Sequence, residues 1–433
     1  MEQKGKSSIF YIFLQLNIRV MKKVVIASDS FKGCLSSMQV ADAIESALFE
    51  LYPSCEVVKV DVADGGEGTV DAVVEALGGS LITIDVKNPL DQPVAATYGI
   101  ASTTAIIEMA SASGLPLISV EERNPAKTST YGTGEMILDA MKRGCRNFLV
   151  GIGGSATNDA GMGMMRALGC RFLDAEGKEL DGTRSSLINV EDIDVSCLAE
   201  GLNESEFIVA CDVTTPFCGE EGATRIFARQ KGADEEALES LESGMQSFAH
   251  VINHKYGIKL NEIPGTGAAG GLGGAFKAFL HAELKSGIDM ILDAAGFDEI
   301  IKDATLVITG EGKIDFQSSR GKVIDGICRR CRAKNVPVLA IAGIIDDICH
   351  SGATNNDHHT GIVDHSGHTA DGLPIIVGEE KTDTSQNSRD EYLTVLPIGP
   401  RPQNESDLEY AMRPEVARRN ITDTIIKILP EFL

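Results

Sequence analysis

The chain has 433 residues and a formal charge of −24, with 63 Asp and Glu against 39 Lys and Arg; 43% of it is hydrophobic and 24% charged. That length supports two or three domains with sizeable cores, and the composition is that of a globular protein. The acidic balance argues against a general affinity for nucleic acid or an anionic membrane, although a few local donors and a metal ion suffice to hold a nucleotide.

Residues 1–20 carry a short apolar run, 9–16, behind Lys4 and Lys6. It is too short to cross a bilayer, and no small-residue cleavage site follows it. The expectation is an extension outside the fold, with the folded protein starting at Met21. Residues 24–27 then read as a strand ending in Asp29-Ser30-Phe31-Lys32-Gly33, a carboxylate, a hydroxyl and an ammonium at a strand's carboxyl end, where open α/β sheets bind ligands. Residues 36–51 read as an amphipathic helix with Val40, Ile44, Ala47, Leu48 and Leu51 on one face. The strand 57–62 runs into Asp64-Gly65-Gly66-Glu67-Gly68 and a helix over 69–77, giving a βαβα start. Paired glycines let backbone approach a ligand, and Asp64 and Glu67 suit a metal or a sugar-like hydroxyl.

Strands are expected at 81–86 and 105–108, a helix at 134–142, and a strand at 148–152. The last enters Gly151-Ile152-Gly153-Gly154-Ser155-Ala156-Thr157-Asn158-Asp159. A Gly-rich turn before a helix presents N–H groups to phosphate; no Lys-Ser/Thr pair makes it a Walker motif. A strand at 207–211 ends at Asp212, and 234–256 reads as a long helix. Gly265-Thr266-Gly267-Ala268-Ala269-Gly270 matches GxGxxG but follows no clear strand, so a dinucleotide match is accidental. Buried strands at 306–309 and 338–341 follow, the first leading into Gly310-Glu311-Gly312-Lys313-Ile314-Asp315. An acid pair beside a lysine at a strand end suits a Mg–phosphate site. Any one of these loops also reads as an ordinary capped turn; several with the same chemistry are less easily dismissed.

Ten cysteines lie scattered without paired spacing, as in a reduced cytoplasmic protein; Cys328 and Cys331 form a lone CxxC, read as two thiols on one helix. From 344 to about 390 the texture turns polar, with five of the eight histidines, His350, His358, His359, His365 and His368. Their spacing fits no metal motif, and a polar surface insertion is expected. A strand at 392–397 and a helix from 406 to 429, restarted near Pro414, close the chain.

Taken together, residues 27–33, 63–69, 131–135, 151–159, 210–213, 230–233, 267–273 and 308–315 resemble the type I glycerate kinases of bacteria. The motifs stand in family order from Met21 to Gly343, and the likeness resumes over 395–429. The resemblance implies two α/β domains: a Rossmann-like parallel-sheet domain made of both chain ends, 21–84 plus 290–433, and a second α/β domain inserted at 85–289. It implies an ATP- and Mg²⁺-dependent kinase giving 2-phosphoglycerate from D-glycerate. Ser28 stands where the family usually has Pro, and Ala160 where it usually has Gly; the 344–390 stretch is longer than the family's connection.

On that basis Gly153, Gly154, Ser155, Thr157 and Gly310 are expected at the nucleotide, and Glu311 and Asp315 at the metal. Asp315, Asp212, Asp29 and Lys32 are expected in catalysis. Ser30, Lys32, Asp64, Glu67 and Lys231 are expected at glycerate, Lys32 or Lys231 neutralising its carboxylate. The expected partners are ATP and glycerate, with no nucleic acid and no membrane, in the cytoplasm. Two other readings stay open here: a nicotinamide-dependent hydroxyacid dehydrogenase, and a non-catalytic small-molecule binding protein of the same fold.

Overall fold

The computed structural model describes residues 21–31, 33–62, 69–180, 182, 184–314, 323–345, 376–377, 393–398 and 410–432. The extension 1–20 lies wholly outside them, and the polar stretch 344–390, with its five histidines, almost wholly.

In chain order the main elements are β1 (Lys23–Ser28), α1 (Ser37–Leu51), β2 (Glu56–Lys59), α2 (Thr69–Ala76), β3 (Ser80–Lys87), β4 (Pro93–Ala101), β5 (Thr104–Glu108), α3 (Tyr131–Lys142), β6 (Asn147–Gly151), β7 (Arg171–Leu173), β8 (Asp192–Asp194) and β9 (Glu206–Ala210). Next come α4 (Glu235–Tyr256), α5 (Ala268–Leu280), β10 (Glu283–Lys285), α6 (Gly287–Ala294), β11 (Leu306–Ile314), α7 (Val323–Ala333), β12 (Val338–Ile345), β13 (Ile376–Val377), β14 (Leu393–Pro397) and α8 (Pro414–Phe432). Strands and helices alternate through most of the chain, so the α/β class read from the apolar periodicity is the class observed.

The chain forms two compact units, one of residues Met1–Asp61 with Gly296–Leu433 and one of Val62–Ala295. The junctions fall at 61/62 and 295/296 rather than at 84/85 and 289/290. The reason is local: α2 packs on β4 and β5, and β3 pairs along its whole length with β4, so both belong to the inserted unit.

The unit built from both chain ends has a six-stranded sheet in the order β13-β14-β12-β11-β1-β2, every pair parallel. Val24, Val25, Ile26 and Ala27 are all buried, as strands covered on both faces must be. The helix α1 starts in a capping box, Ser36 Oγ accepting from the Gln39 N–H and Gln39 Oε1 from the Ser36 N–H, which satisfies two orphan donors. Its apolar stripe, Val40, Ile44, Ala47 and Leu48, meets Ile421, Ile425 and Leu429 of α8, spaced four apart on one face. Chain order reverses beside β1: β2 lies on one side and β11 on the other. That is a topological switch point, and the loop after β1 is the part of the sheet where ligands gather.

The inserted unit has the order β10-β9-β6-β5-β4-β3. Its β3–β4 and β4–β5 pairs are antiparallel and the rest parallel. The strand β4 was not expected; its Ala and Gly are weak strand formers, and pairing between β3 and β5 holds it in the sheet. The core joins Phe148 and Phe207, stacked with centroids 4.6 Å apart, to Phe172, Phe217, Phe248 and Phe276. Glu108, Gly151, Ala210 and Lys285 are in register across β5, β6, β9 and β10, so the loops after these four strands open from one sheet edge.

Candidate active site

The loop after β6 has two layers. Gly153 and Gly154 are exposed, while Ser155 through Ala160 are buried. Gly154 has φ +71°, a left-handed turn that glycine adopts without a Cβ penalty. The loop is pinned on its near side by bonds from the Leu115 N–H to the Gly154 carbonyl (2.9 Å) and from the Ala156 N–H to the Ser113 carbonyl (3.0 Å). The result is an exposed glycine turn on a rigid polar floor.

Two charged side chains build that floor. Asp159 Oδ2 accepts from the Thr130 N–H (2.8 Å), Thr130 Oγ1 (2.8 Å) and the Gly163 N–H (3.1 Å), and its Oδ1 accepts from the Gly161 N–H (3.1 Å). Burial pushes its carboxyl up, and these four donors oppose the shift. Lys231 is only 2% exposed. Its Nζ donates to Ser155 Oγ (2.7 Å) and to the Thr157 carbonyl (2.8 Å). Burial pushes the ammonium down to about 7, and Asp159 works against that fall. Asn158 Nδ2 donates to Thr224 Oγ1 at 3.2 Å and Thr128 Oγ1 to the Ala156 carbonyl at 2.9 Å. Thr157 Oγ1 and Asn158 Oδ1 are buried with no hydrogen-bond partner among the described residues.

Behind the loop, Ala269, Gly270 and Gly271 have φ of +53°, +68° and +90°, a left-handed arch inside α5. The Gly270 carbonyl accepts from the Ala160 N–H at 3.0 Å, and a Cβ on Gly270 would overlap the Thr157 carbonyl and Asn158 Cα. This close approach requires glycine at 270, while Gly265 and Gly267 lie against Cys211 and the Pro216 carbonyl. The run 265–270 opens no strand-turn-helix unit for a dinucleotide, so the dehydrogenase reading finds no support.

Along the same edge, Asp212 is exposed beyond β9 and accepts from the Gly287 N–H at 2.8 Å, at the first turn of α6. Glu108 Oε1 accepts from the Val70 N–H at 3.0 Å in the first turn of α2. Both carboxylates sit where helix N-terminal donors need acceptors.

In the other unit, Asp29 is buried beyond β1; its N–H donates to the Gly310 carbonyl (2.9 Å) and its Oδ1 accepts from the Ser30 N–H (2.7 Å). Phe31 and Leu35, both buried, close the loop by backbone bonds at 2.8 and 3.0 Å. The run after Thr309 is no loop: β11 continues to Ile314, paired with β12 through Ile345. Gly310 therefore lies within a central strand. A Cβ there would crowd the Ile341 side chain and carbonyl and Ser28 Oγ, which explains the glycine by packing between strands. Glu311 is buried and its Oε1 accepts a long 3.4 Å bond from the Ile324 N–H in the first turn of α7. Lys32, Asp64, Glu67 and Asp315 lie outside the described residues.

The structure thus brings Ser155, Thr157 and Lys231 together under Gly153 and Gly154, and sets Asp29 and Ser30 beside Gly310 at a switch point. Asp159 was quoted within the loop motif but given no role; its signal was an Asx residue just ahead of a helix, the usual place for a carboxylate that satisfies N–H donors. Cys328 and Cys331 are buried on α7, and burial pushes both thiols up, Cys328 to about 12; they are packing residues, not a redox pair.

The sequence profile of the Glycerate kinase family matches residues 24–373. Glycerate 2-kinase of Escherichia coli (strain K12) is 47% identical over 327 residues, 75% of this chain and 86% of that protein. A glycerate kinase of Bacillus subtilis (strain 168) is 45% identical over 325 residues, with 75% and 85% covered. Among solved structures, a Salmonella typhimurium LT2 protein described as a glycerate kinase 2 candidate superposes with a TM-score of 0.75 at 38% identity, covering 93% of this chain and 98% of that one.

Proposed function

This chain belongs to the glycerate kinase family, and from that premise we propose that it transfers the terminal phosphoryl group of ATP to the 2-hydroxyl of D-glycerate, giving 2-phosphoglycerate and ADP. The observation that supports the phosphate end of this reading is the exposed Gly153–Gly154 turn on a floor fixed by Lys231 and Asp159. Phosphoryl transfer asks for positioning and charge neutralisation more than for covalent chemistry. Gly153, Gly154 and Ser155 then supply donors to phosphate oxygens, with Thr157 as their support. Asp29 and Ser30, at the switch point, take the glycerate end with Lys32, Asp64 and Glu67.

Among the described residues no group of three or more His, Cys, Asp or Glu could hold a metal. Magnesium on a nucleotide needs only one or two protein carboxylates, and Glu311, a buried oxygen donor at the extended end of β11, fits that demand together with Asp315. The ion would neutralise phosphate charge when bound. Asp315 and Asp212 remain the choices for the group that takes the hydroxyl proton. Among the described residues no helix is long and apolar enough to cross a membrane; we place the enzyme in the cytoplasm and expect no nucleic-acid partner.

The test is incubation with ATP, Mg²⁺ and each glycerate enantiomer, with the product identified by ³¹P NMR. ADP and 2-phosphoglycerate from the D form are expected. 3-Phosphoglycerate, or ADP formed without a glycerate phosphate, would overturn the assignment, and a parallel NAD incubation should give no NADH.

A further inference from the structure

Lys231 was expected to neutralise a substrate carboxylate, and its surroundings suit a different task. The side chain is buried, and two of its three donors are committed to Ser155 Oγ at 2.7 Å and the Thr157 carbonyl at 2.8 Å. It reaches them from a short helical turn, Arg229–Lys231, that ends at Gly232 with φ +95°. A Cβ on Gly232 would overlap the Arg123 carbonyl, so this glycine lets the turn seat against residue 123 and fixes where the lysine starts.

We propose that Lys231 is a positioning residue for the phosphate cradle, one that acts by orienting the Ser155 hydroxyl as a donor. The argument is stereochemical. In its protonated form, the one present at and below about pH 7, Lys231 is an ammonium with only N–H donors and no lone pair. Ser155 Oγ, at 2.7 Å from it, must therefore accept, and the hydroxyl's own hydrogen is left to point elsewhere. Ser155 stands at the rim of the loop, 9% exposed, directly after the exposed Gly153–Gly154 turn. Its hydrogen is thereby available to an oxyanion beside that turn. The second bond, to the Thr157 carbonyl, holds the backbone on the far side of Ser155, and with Asp159 opposite the two ends of the segment 155–159 are tied to different elements. A serine without this lysine could turn its hydroxyl inward to a backbone acceptor and would then present lone pairs, which repel phosphate. Preorganised donors of this kind need no rearrangement when the anion arrives.

The inference rests on the kinase reading, and a double-mutant cycle separates the two. Steady-state kinetics for ATP and for glycerate are measured at pH 6.5, where Lys231 is protonated, on the wild type, Lys231→Met, Ser155→Ala and the double variant. Loss of one hydrogen bond to a charged group corresponds to about a 10–100-fold change. Each single variant is expected to raise KM for ATP, or lower kcat/KM for ATP, by about that factor with KM for glycerate held, and the double variant is expected to be no worse than the more damaged single one. A purely structural lysine predicts multiplicative losses, and that result overturns the proposal. So does a rise confined to KM for glycerate, which would return Lys231 to the substrate side. A wild type that phosphorylates no glycerate refutes the function instead. Should Lys231→Met fail to fold, Lys231→Gln, which keeps one donor for Ser155, is expected to retain most of the kcat/KM for ATP that Ser155→Ala loses, and a Gln variant as damaged as Ser155→Ala overturns the proposal.

Discussion

At the scale of single residues, the buried Lys231 makes stability depend on pH in a stated direction. Its ordinary value is 10.5 and burial takes it to about 7. Between those values the unfolded chain holds a proton that the folded chain has released, so this group's contribution to stability rises as pH climbs from 7 towards 10.5, and its penalty is fully present below 7. Lys231→Met removes the dependence. The variant's Tm relative to the wild type is expected to be highest at or below pH 7 and to decline steadily towards pH 10. Asp159, which faces the lysine, is pushed further up when the cation goes, and this adds in the same direction on the acid side. A Tm difference that stays flat from pH 6.5 to 10 would show that the lysine keeps its ordinary affinity for protons in the fold.

At the scale of elements, the left-handed arch of α5 and the loop after β6 behave as one piece. Gly270→Ala places a methyl group against the Thr157 carbonyl at a φ of +68°, so it meets both backbone overlap and left-handed strain, the latter costing about 1–2 kcal/mol. The expected result is a loss of at least about 2 kcal/mol in denaturant unfolding with a raised KM for ATP, since the arch cannot yield without moving Thr157. An unchanged KM for ATP in folded Gly270→Ala would separate the arch from the cradle. This coupling also marks the limit of what could be read in the sequence. The strands at 24–27, 148–152 and 207–211 were legible because continuous apolar runs ending in Gly or Asp have one economical reading in an α/β protein. The run Gly310-Glu311-Gly312-Lys313 was not: its composition says turn, and pairing with β12, and with β1 at Gly310, keeps it extended. In the same way Gly265–Gly270 was legible as no dinucleotide site, but not as a left-handed arch. Gly270 is required by Thr157 and Asn158, more than a hundred positions away, and Gly267 by the Pro216 carbonyl, and no local pattern carries that information. The loop motif singled out Ser155 and Thr157, but their contact with Lys231 could not be read, because spacing along the chain says nothing of who meets across a fold.

At the scale of the whole molecule, the two units have separate apolar cores. One draws on β1, α1, β11, β12 and α8, with Ile421, Ile425 and Leu429 from the end of the chain closing over Val40 and Ile44 from its beginning. A chain starting at Met21 keeps all of this core, including the buried Met21 itself, and is expected to retain full activity; inactive or insoluble protein from that start would give residues 1–20 a role in folding.

The other core lies wholly between Val86 and Ala282, and every strand of its sheet, β3 to β6, β9 and β10, comes from the same continuous stretch. Its cradle is equally self-contained: Ser155, Asp159, Thr130, Lys231 and the 269–271 arch all fall inside Val62–Ala295. A contiguous segment that owns its sheet, its aromatic cluster and its buried hydrogen-bonded floor has what an independently folding domain needs. The fragment 62–295 is therefore expected to fold alone, unfold in one cooperative transition, and still take up ATP, with stability that rises on adding the nucleotide, while transferring no phosphate because Asp29, Glu311 and Asp315 are absent. Calorimetry and nucleotide titration of the fragment decide the matter. A fragment that folds but ignores ATP would mean that the nucleotide is held mainly by the unit formed from the chain ends, and the exposed Gly153–Gly154 turn would then have to be reassigned to glycerate.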